Sequence, residues 1–267
     1  MAESFEHLGF SVGDSVATIK LDRPEKYNAI GGQMVAEFGA ALDVAESSGA
    51  RAIILTGAGE KAFCSGVDLK ERKAMSSEEK WAHNRAINEF TNRLSKSQVP
   101  TVAAINGLAL GGGFELTLAC DFRIAVDHAT FALPEVGLGI ILGAGGTQRL
   151  PRLIGPSRAK EMVLTARRIN ADTALSWGIL NSVVAADELM ESAGDLAEEV
   201  AKNSPLSVAH AKAAVDIAVE TSFEQGFRFE TAAIRTTLAS PDYEEGLAAF
   251  AEKRKPEFPP LTARDIT

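Results

Sequence analysis

Cysteine is scarce. The 267 residues contain two, Cys64 and Cys120, too few for a disulfide framework, and both lie among apolar neighbours, where a thiol packs as core rather than acting as a nucleophile. The four histidines, at 7, 83, 128 and 210, are scattered and no H-E-x-x-H occurs, so no metal site is expected. Basic charge is outnumbered, 27 Lys+Arg against 36 Asp+Glu, for a formal net charge of -9. Such a surface repels phosphate backbones, so nucleic acid is not an expected partner. G-K-[ST] is missing, which removes the P-loop, and no hydrolase nucleophile elbow is expected. Long apolar runs are few as well. The stretch Val99 to Cys120 contains Pro100, Asn106, Glu115 and four glycines, which suits a buried strand-turn-helix and not a membrane span. The opening MAESFEHLGF has Glu3, Glu6 and His7 but no apolar centre. It reads as neither a secretory signal nor an Arg-rich transit peptide, and the expected location is cytoplasmic.

What is present is a chain of 28.2 kDa, 46% hydrophobic and 24% charged, the balance of a soluble protein with a large core. Strand-like and helix-like segments alternate through the first two-thirds: strands over 16–21, 51–55, 101–105, 122–126 and 130–133, helices over 33–46, 78–94 and 111–120. This is an α/β pattern. After about Asp187 only helices are predicted, with Ser240-Pro241 as N-cap and first residue of the last one, and a proline-rich extended tail from 256 to 267. The division drawn is an α/β core over 1–195 and a helical region over 196–267. The phenylalanines at 223, 227, 229 and 250 in that region fit either a satellite core or an oligomer interface. Gly57-Ala58-Gly59-Glu60-Lys61-Ala62 has the letters of a dinucleotide fingerprint. However, Phe63 to Val67 is not a helix start, and no Asp or Glu ending a second strand follows at the right distance.

The most informative feature is charge placement. Within Phe114 to Cys120 the only ionisable acid or base is Glu115, and within Ala129 to Leu142 it is Glu135. Glutamates are rarely buried unless paired or functional, and an apolar setting raises a carboxyl pKa toward the range useful for acid–base catalysis. A structural cap or ion pair is the ordinary explanation for one such residue. Two of them, each beside a glycine-rich turn, favour a shared catalytic cleft. Gly111-Gly112-Gly113 precedes the helix of Glu115, and backbone amides at a helix start attract developing negative charge. The turn from Phe63 to Asp68 could supply a second amide, and Gly143-Ala144-Gly145-Gly146 lies just beyond Glu135.

These residues resemble the enoyl-CoA hydratase/isomerase (crotonase) superfamily across nearly the whole chain. The matching runs are LDRPEKYNAI (21–30), AFCSGVDLKE (62–71), AAINGLALGGGFELTLACDFRIA (103–125), FALPEVGLGIILGAGGTQRLPRLIG (131–155) and GLAAFAEKRKPEF (246–258). The resemblance implies a crotonase-like spiral of ββα units with a helical C-terminal trimerisation region, and a homotrimer or dimer of trimers. It implies an acyl-CoA thioester substrate, coenzyme A entering as part of that substrate, with no separate cofactor. By motif position the oxyanion hole is formed by the amides of Val67 and Gly112, and Glu115 and Glu135 are the catalytic pair of a hydratase. Simple isomerases need only the carboxylate at the Glu135 position, so Glu115 favours hydration, with isomerisation or another acyl-CoA reaction as the alternative. Lys26, Ser65, Asp68, Leu69, Lys70, Gly143, Phe250 and Lys253 are the implied substrate- and CoA-binding residues. Leu142 departs from the proline frequent in hydratases. With Val67 and the segment 71–82 it is expected to shape the acyl pocket.

Overall fold

The computed structural model describes residues 5–261. The first four residues of the N-terminal stretch judged for targeting signals, and residues 262–267 of the extended tail, lie outside them. Hairpin strands β1 (Leu8–Gly13) and β2 (Val16–Leu21) open the fold, followed by helix α1 (Gly32–Ser47). Three units then repeat one plan, in which a longer strand is followed by a very short one and then by a helix. They are β3 (Ala52–Gly57) and β4 (Ala62–Cys64) with α2 (Leu69–Lys73) and α3 (Ser77–Ser95); β5 (Thr101–Ile105) and β6 (Leu108–Leu110) with α4 (Gly112–Leu118); and β7 (Phe122–Val126) and β8 (Thr130–Ala132) with α5 (Gly146–Thr165). The first strands of the units stack into a six-stranded sheet and the second strands into a four-stranded one. The larger sheet runs β1-β2-β3-β5-β7 and ends with β10 (Ser182–Val184); it is parallel except at the opening hairpin. The smaller runs β4-β6-β8 and ends with β9 (Ile169–Asn170), which is followed by α6 (Ala171–Trp177). This is the spiral of ββα units.

Burial explains the larger sheet. Every residue of β3 and of β5 is buried, as expected of parallel strands covered on both faces. The letters G-x-S-x-G do occur, at Gly9–Gly13, but they run along β1 and into its hairpin with β2. They form no strand-to-helix turn and no nucleophile elbow. The glycine run at 57–59 leads into β4 rather than into a helix, which removes the dinucleotide reading.

Helix α7 (Leu189–Ala201) packs on β3, β5 and β7. A boundary at 195/196 therefore cuts through a helix of the core, and the separate helical layer begins after it. That layer consists of α8 (Pro205–Ala218), α9 (Phe223–Leu238) and α10 (Pro241–Glu252). A salt bridge of 2.9 Å from Lys212 Nζ to Asp121 Oδ1 ties it to the core. The satellite-core reading of its phenylalanines fails, because α9 has no buried residue and Phe223 and Phe250 are 87% and 86% exposed.

Candidate active site

The site lies where the two sheets' connections converge. Helix α4 is buried along all seven residues. Its C-terminal end is held by Arg123, whose guanidinium donates to the carbonyls of Thr117, Cys120 and Ile179, a cation placed at the negative end of the helix dipole. Its N-terminal end is set by the glycine run. Gly111 takes φ +52° and packs against Glu135, since a Cβ there would lie 2.7 Å from Glu135 Oε1. A Cβ on Gly113 would collide with the Cys64 carbonyl. Two constraints that a side chain would violate thus fix where Gly112 presents its amide.

Val67 follows β4, and its strand segment bridges in parallel to Ile30 through Ile30 N–H to Gly66 O and Asp68 N–H to Ile30 O. Those bonds leave the Val67 N–H without a backbone acceptor among the described residues. A Cβ built on Gly112 would lie 3.8 Å from Val67 Cγ2, so the two amide-bearing residues are neighbours. One cleft is lined by Val67, Gly112, Glu115, Glu135 and Gly143, together with Arg72 and Asn84.

The two carboxyls differ in environment. Glu115 is 2% exposed, and its Oε1 accepts from the amides of Ala144 at 2.9 Å and Gly146 at 2.7 Å. Burial raises its pKa, opposed by the amides of Gly146, Ala144 and Gly143 and by the charge of Arg149. Arg149 also clamps this turn by donating to Ala144 O. Glu135 has no such cradle: its Oε2 is buried with no hydrogen-bond partner. Burial, and secondarily the charge of Glu115, push its pKa up to about 7. The cleft therefore holds one carboxyl fixed by amides and one, without such amides, whose pKa is pushed up to about 7. Both carboxyls line the same cleft as Val67 and Gly112, and carboxyls in such unlike surroundings are suited to acid–base chemistry.

The family model for enoyl-CoA hydratase/isomerase matches residues 11–260. The chain belongs to that family. It is 44% identical over 243 residues to a putative enoyl-CoA hydratase/isomerase, YngF, of Bacillus subtilis, covering 91% of this chain and 94% of the relative. It is 40% identical to a short-chain-enoyl-CoA hydratase of Clostridium acetobutylicum, covering 91% and 93%. The crystal structure of an enoyl-CoA hydratase from Bacillus anthracis superposes with a TM-score of 0.92 at 42% identity, covering 95% of this chain and 99% of that one.

Within this family member, the remaining expected residues fall into four groups. Gly143 lines the cleft, and its carbonyl accepts from Asn88 Nδ2 at 3.0 Å. Lys26, Ser65, Leu69 and Lys70 sit beside the Val67 turn without lining the cleft; Lys26 is half-exposed, Leu69 and Lys70 exposed. Asp68 is a buried member of this turn. Its buried carboxylate accepts from the amides of Lys70 and Glu71 as the N-cap of α2, and pairs with Arg23 at 3.1 Å and Lys26 at 3.7 Å. It is engaged in scaffold contacts and holds Val67 in place. Phe250 and Lys253 lie on α10 and at its C-cap, away from the cleft of their own chain. Arg254, between Lys253 and Lys255, is paired with Glu245 and Glu252. Sequence reasoning missed Arg72 and Asn84. Among the described residues no group of three His, Cys, Asp or Glu side chains is placed to hold a metal ion. No helix there is long and apolar enough to cross a membrane.

Proposed function

We propose that the protein is an enoyl-CoA hydratase, adding water reversibly to a trans-2-enoyl-CoA to give a 3-hydroxyacyl-CoA. The observation that carries this reading is the convergence of Glu115 and Glu135 with the amides of Val67 and Gly112 in one cleft. The thioester carbonyl accepts from the two amides, which draw charge onto its oxygen as the enolate forms. Glu115, ionised and held by its amide cradle, orients a water and takes its proton as oxygen bonds to the β-carbon. Glu135, protonated, delivers its proton to the α-carbon. The two protons balance: one leaves water for Glu115 and one leaves Glu135 for carbon. The reverse reaction starts from the same pair with the proton on the other carboxyl. No group beyond the substrate's own coenzyme A enters this scheme.

Lys26, Ser65, Leu69 and Lys70 border the Val67 amide and are assigned to the coenzyme A path. Phe250 and Lys253 are assigned to the coenzyme A of a neighbouring subunit. That assignment needs the homotrimer, single or paired, which the exposed apolar face of α8–α10 supports. The free, buried thiols of Cys64 and Cys120 suit a reducing compartment, and the placement proposed is cytoplasmic, in fatty-acid β-oxidation.

The test is conversion of crotonyl-CoA, followed by loss of the conjugated thioester absorbance and by identification of the product. Formation of 3-hydroxybutyryl-CoA is expected. Conversion of a 3-enoyl-CoA to a 2-enoyl-CoA, with no hydration of crotonyl-CoA, would replace the reading with isomerisation.

A further inference from the structure

Arg72 is the cleft residue that the chemistry above does not use. It lies on α2, five residues after the Val67 amide, and lines the cleft with Ile87, Ile140 and Ile141. Its Nε is buried with no hydrogen-bond partner among the described residues, and burial lowers its pKa with no carboxylate offsetting this. The adjacent Glu71 is turned toward the start of α1, where its Oε1 accepts from Gly32 N–H at 2.8 Å and its Oε2 lies against Gly31. The charge of Glu115 acts on Glu135, but neither carboxyl shows an influence from Arg72. Next to it, His83 is buried with both ring nitrogens unpartnered, and burial and the charge of Arg72 hold it neutral. Among the described residues, four of the five buried side-chain polar atoms without partners thus belong to Arg72, His83 and Glu135. The Glu135 atom is explained by its proton. Arg72 as a whole is only half-buried, but its shielded Nε has no partner in the scaffold, whereas guanidinium groups withdrawn from water are normally paired.

We propose that Arg72 binds a carboxylate at the far end of the acyl chain, which makes the substrate of this cleft a short dicarboxylic 2-enoyl-CoA. The inference rests on the hydratase reading and names its substrate class. The guanidinium presents a planar donor fork to which a carboxylate is the matching acceptor. Val67 and Arg72 belong to one loop–helix segment, so the thioester carbonyl and the far carboxylate are gripped from the same side, which suits a chain of few carbons. Ile87, Ile140 and Ile141 cover the intervening carbons. An uncharged alkyl chain closing the same cleft would exclude water from Arg72 and supply nothing in return. The selectivity is therefore built by penalty as well as by attraction.

The test compares glutaconyl-CoA, whose five-carbon chain ends in a carboxylate, with pent-2-enoyl-CoA, its uncharged counterpart, in the full-length protein and in Arg72→Met and Arg72→Lys. The wild type is expected to show a kcat/KM for glutaconyl-CoA at least about tenfold above that for pent-2-enoyl-CoA. Arg72→Met is expected to lose about 10- to 100-fold on glutaconyl-CoA and to gain on pent-2-enoyl-CoA, and Arg72→Lys to keep part of the preference. A wild type that prefers pent-2-enoyl-CoA, or an Arg72→Met variant that loses equally on both, overturns the proposal. The saturated analogues glutaryl-CoA and pentanoyl-CoA provide a readout independent of turnover. If neither enoyl ester is hydrated but glutaryl-CoA binds more tightly and loses that advantage in Arg72→Met, the hydratase reading fails and the carboxylate site stands. Equal Kd values for the two analogues in the wild type reject the carboxylate site whether or not the protein is a hydratase.

Discussion

At the scale of single residues, the site works because two like groups have been given unlike surroundings. Glu115 has three backbone amides and a nearby arginine to stabilise its charge; Glu135 has an unpartnered oxygen and a neighbouring carboxylate. The pair shares one proton, and hydration and dehydration both start from that singly protonated pair, with the proton on opposite members. The apparent constants belong to the pair. Accordingly kcat/KM should fall as pH rises through about 7, by the same limb for crotonyl-CoA hydration and for 3-hydroxybutyryl-CoA dehydration. A profile flat from pH 6 to pH 9, or limbs displaced between the two directions, would contradict a shared proton. The same shift has a stability consequence. A carboxyl whose folded value is raised to about 7 from 4.5 contributes fully below the unfolded value. That contribution is lost as pH rises through the folded one. Glu135→Gln should therefore unfold at higher denaturant than wild type at pH 8, with the difference shrinking toward pH 4.5. An unchanged difference across that range would show that the carboxyl is not carrying a displaced proton. Both glutamates were legible in the sequence because each is the lone ionisable group in an apolar run. Arg72 and Asn84 were not, since each sits in a polar helix where most charged and amide side chains face water.

At the scale of elements, α2 and α4 matter because each delivers an amide. The start of α2 depends on Asp68, which caps the helix and neutralises Arg23, a residue only 4% exposed. Asp68→Ala should cost about 3 kcal/mol in urea unfolding, because it strands a buried cation. Asp68→Asn should recover the capping share, about 1 kcal/mol, but not the rest. Equal stability of both variants and wild type would show that the ion pair contributes nothing. The start of α4 depends on Gly113 lying against Cys64. Gly113→Ala should destabilise by about 1–3 kcal/mol through forced displacement. The helices with clear 3.6-residue periodicity, such as α1 and α3, were read from sequence to within two residues at each end. Strands β4, β6 and β9 were not found, because two or three residues cannot display an alternation. Helix α5 was hidden by Pro151 and Pro156 and by Gly155, whose φ of +77° breaks it into two.

At the scale of the molecule, the larger sheet and its covering helices form a closed core, while α8–α10 carry a groove and apolar side chains left uncovered among the described residues. Val215, Phe223 and Phe250 are among the most exposed. Light scattering should give a mass three or six times that of the 28.2 kDa chain, and Phe223→Asp with Phe227→Asp should lower it while far-UV circular dichroism is retained. A wild-type monomer would remove the assignment of Phe250 and Lys253 to a neighbour's substrate. The α/β core followed by helices was visible in the sequence as a change in periodicity. The point of division was not, because α7 has the amphipathic pattern of the later helices yet packs on the sheet.

The central claim is that Glu115 and Glu135 together carry the reaction on a carbonyl held by two amides. The most direct measurement is crotonyl-CoA turnover by Glu115→Gln, Glu135→Gln and the double variant, with butyryl-CoA binding and thermal unfolding measured in parallel. Each single change should lower kcat by about 10²- to 10⁴-fold. The double variant should do little worse than the poorer single one, because the two act as a unit. Butyryl-CoA affinity and folding should persist throughout. A double variant that hydrates crotonyl-CoA at the wild-type rate would contradict the account.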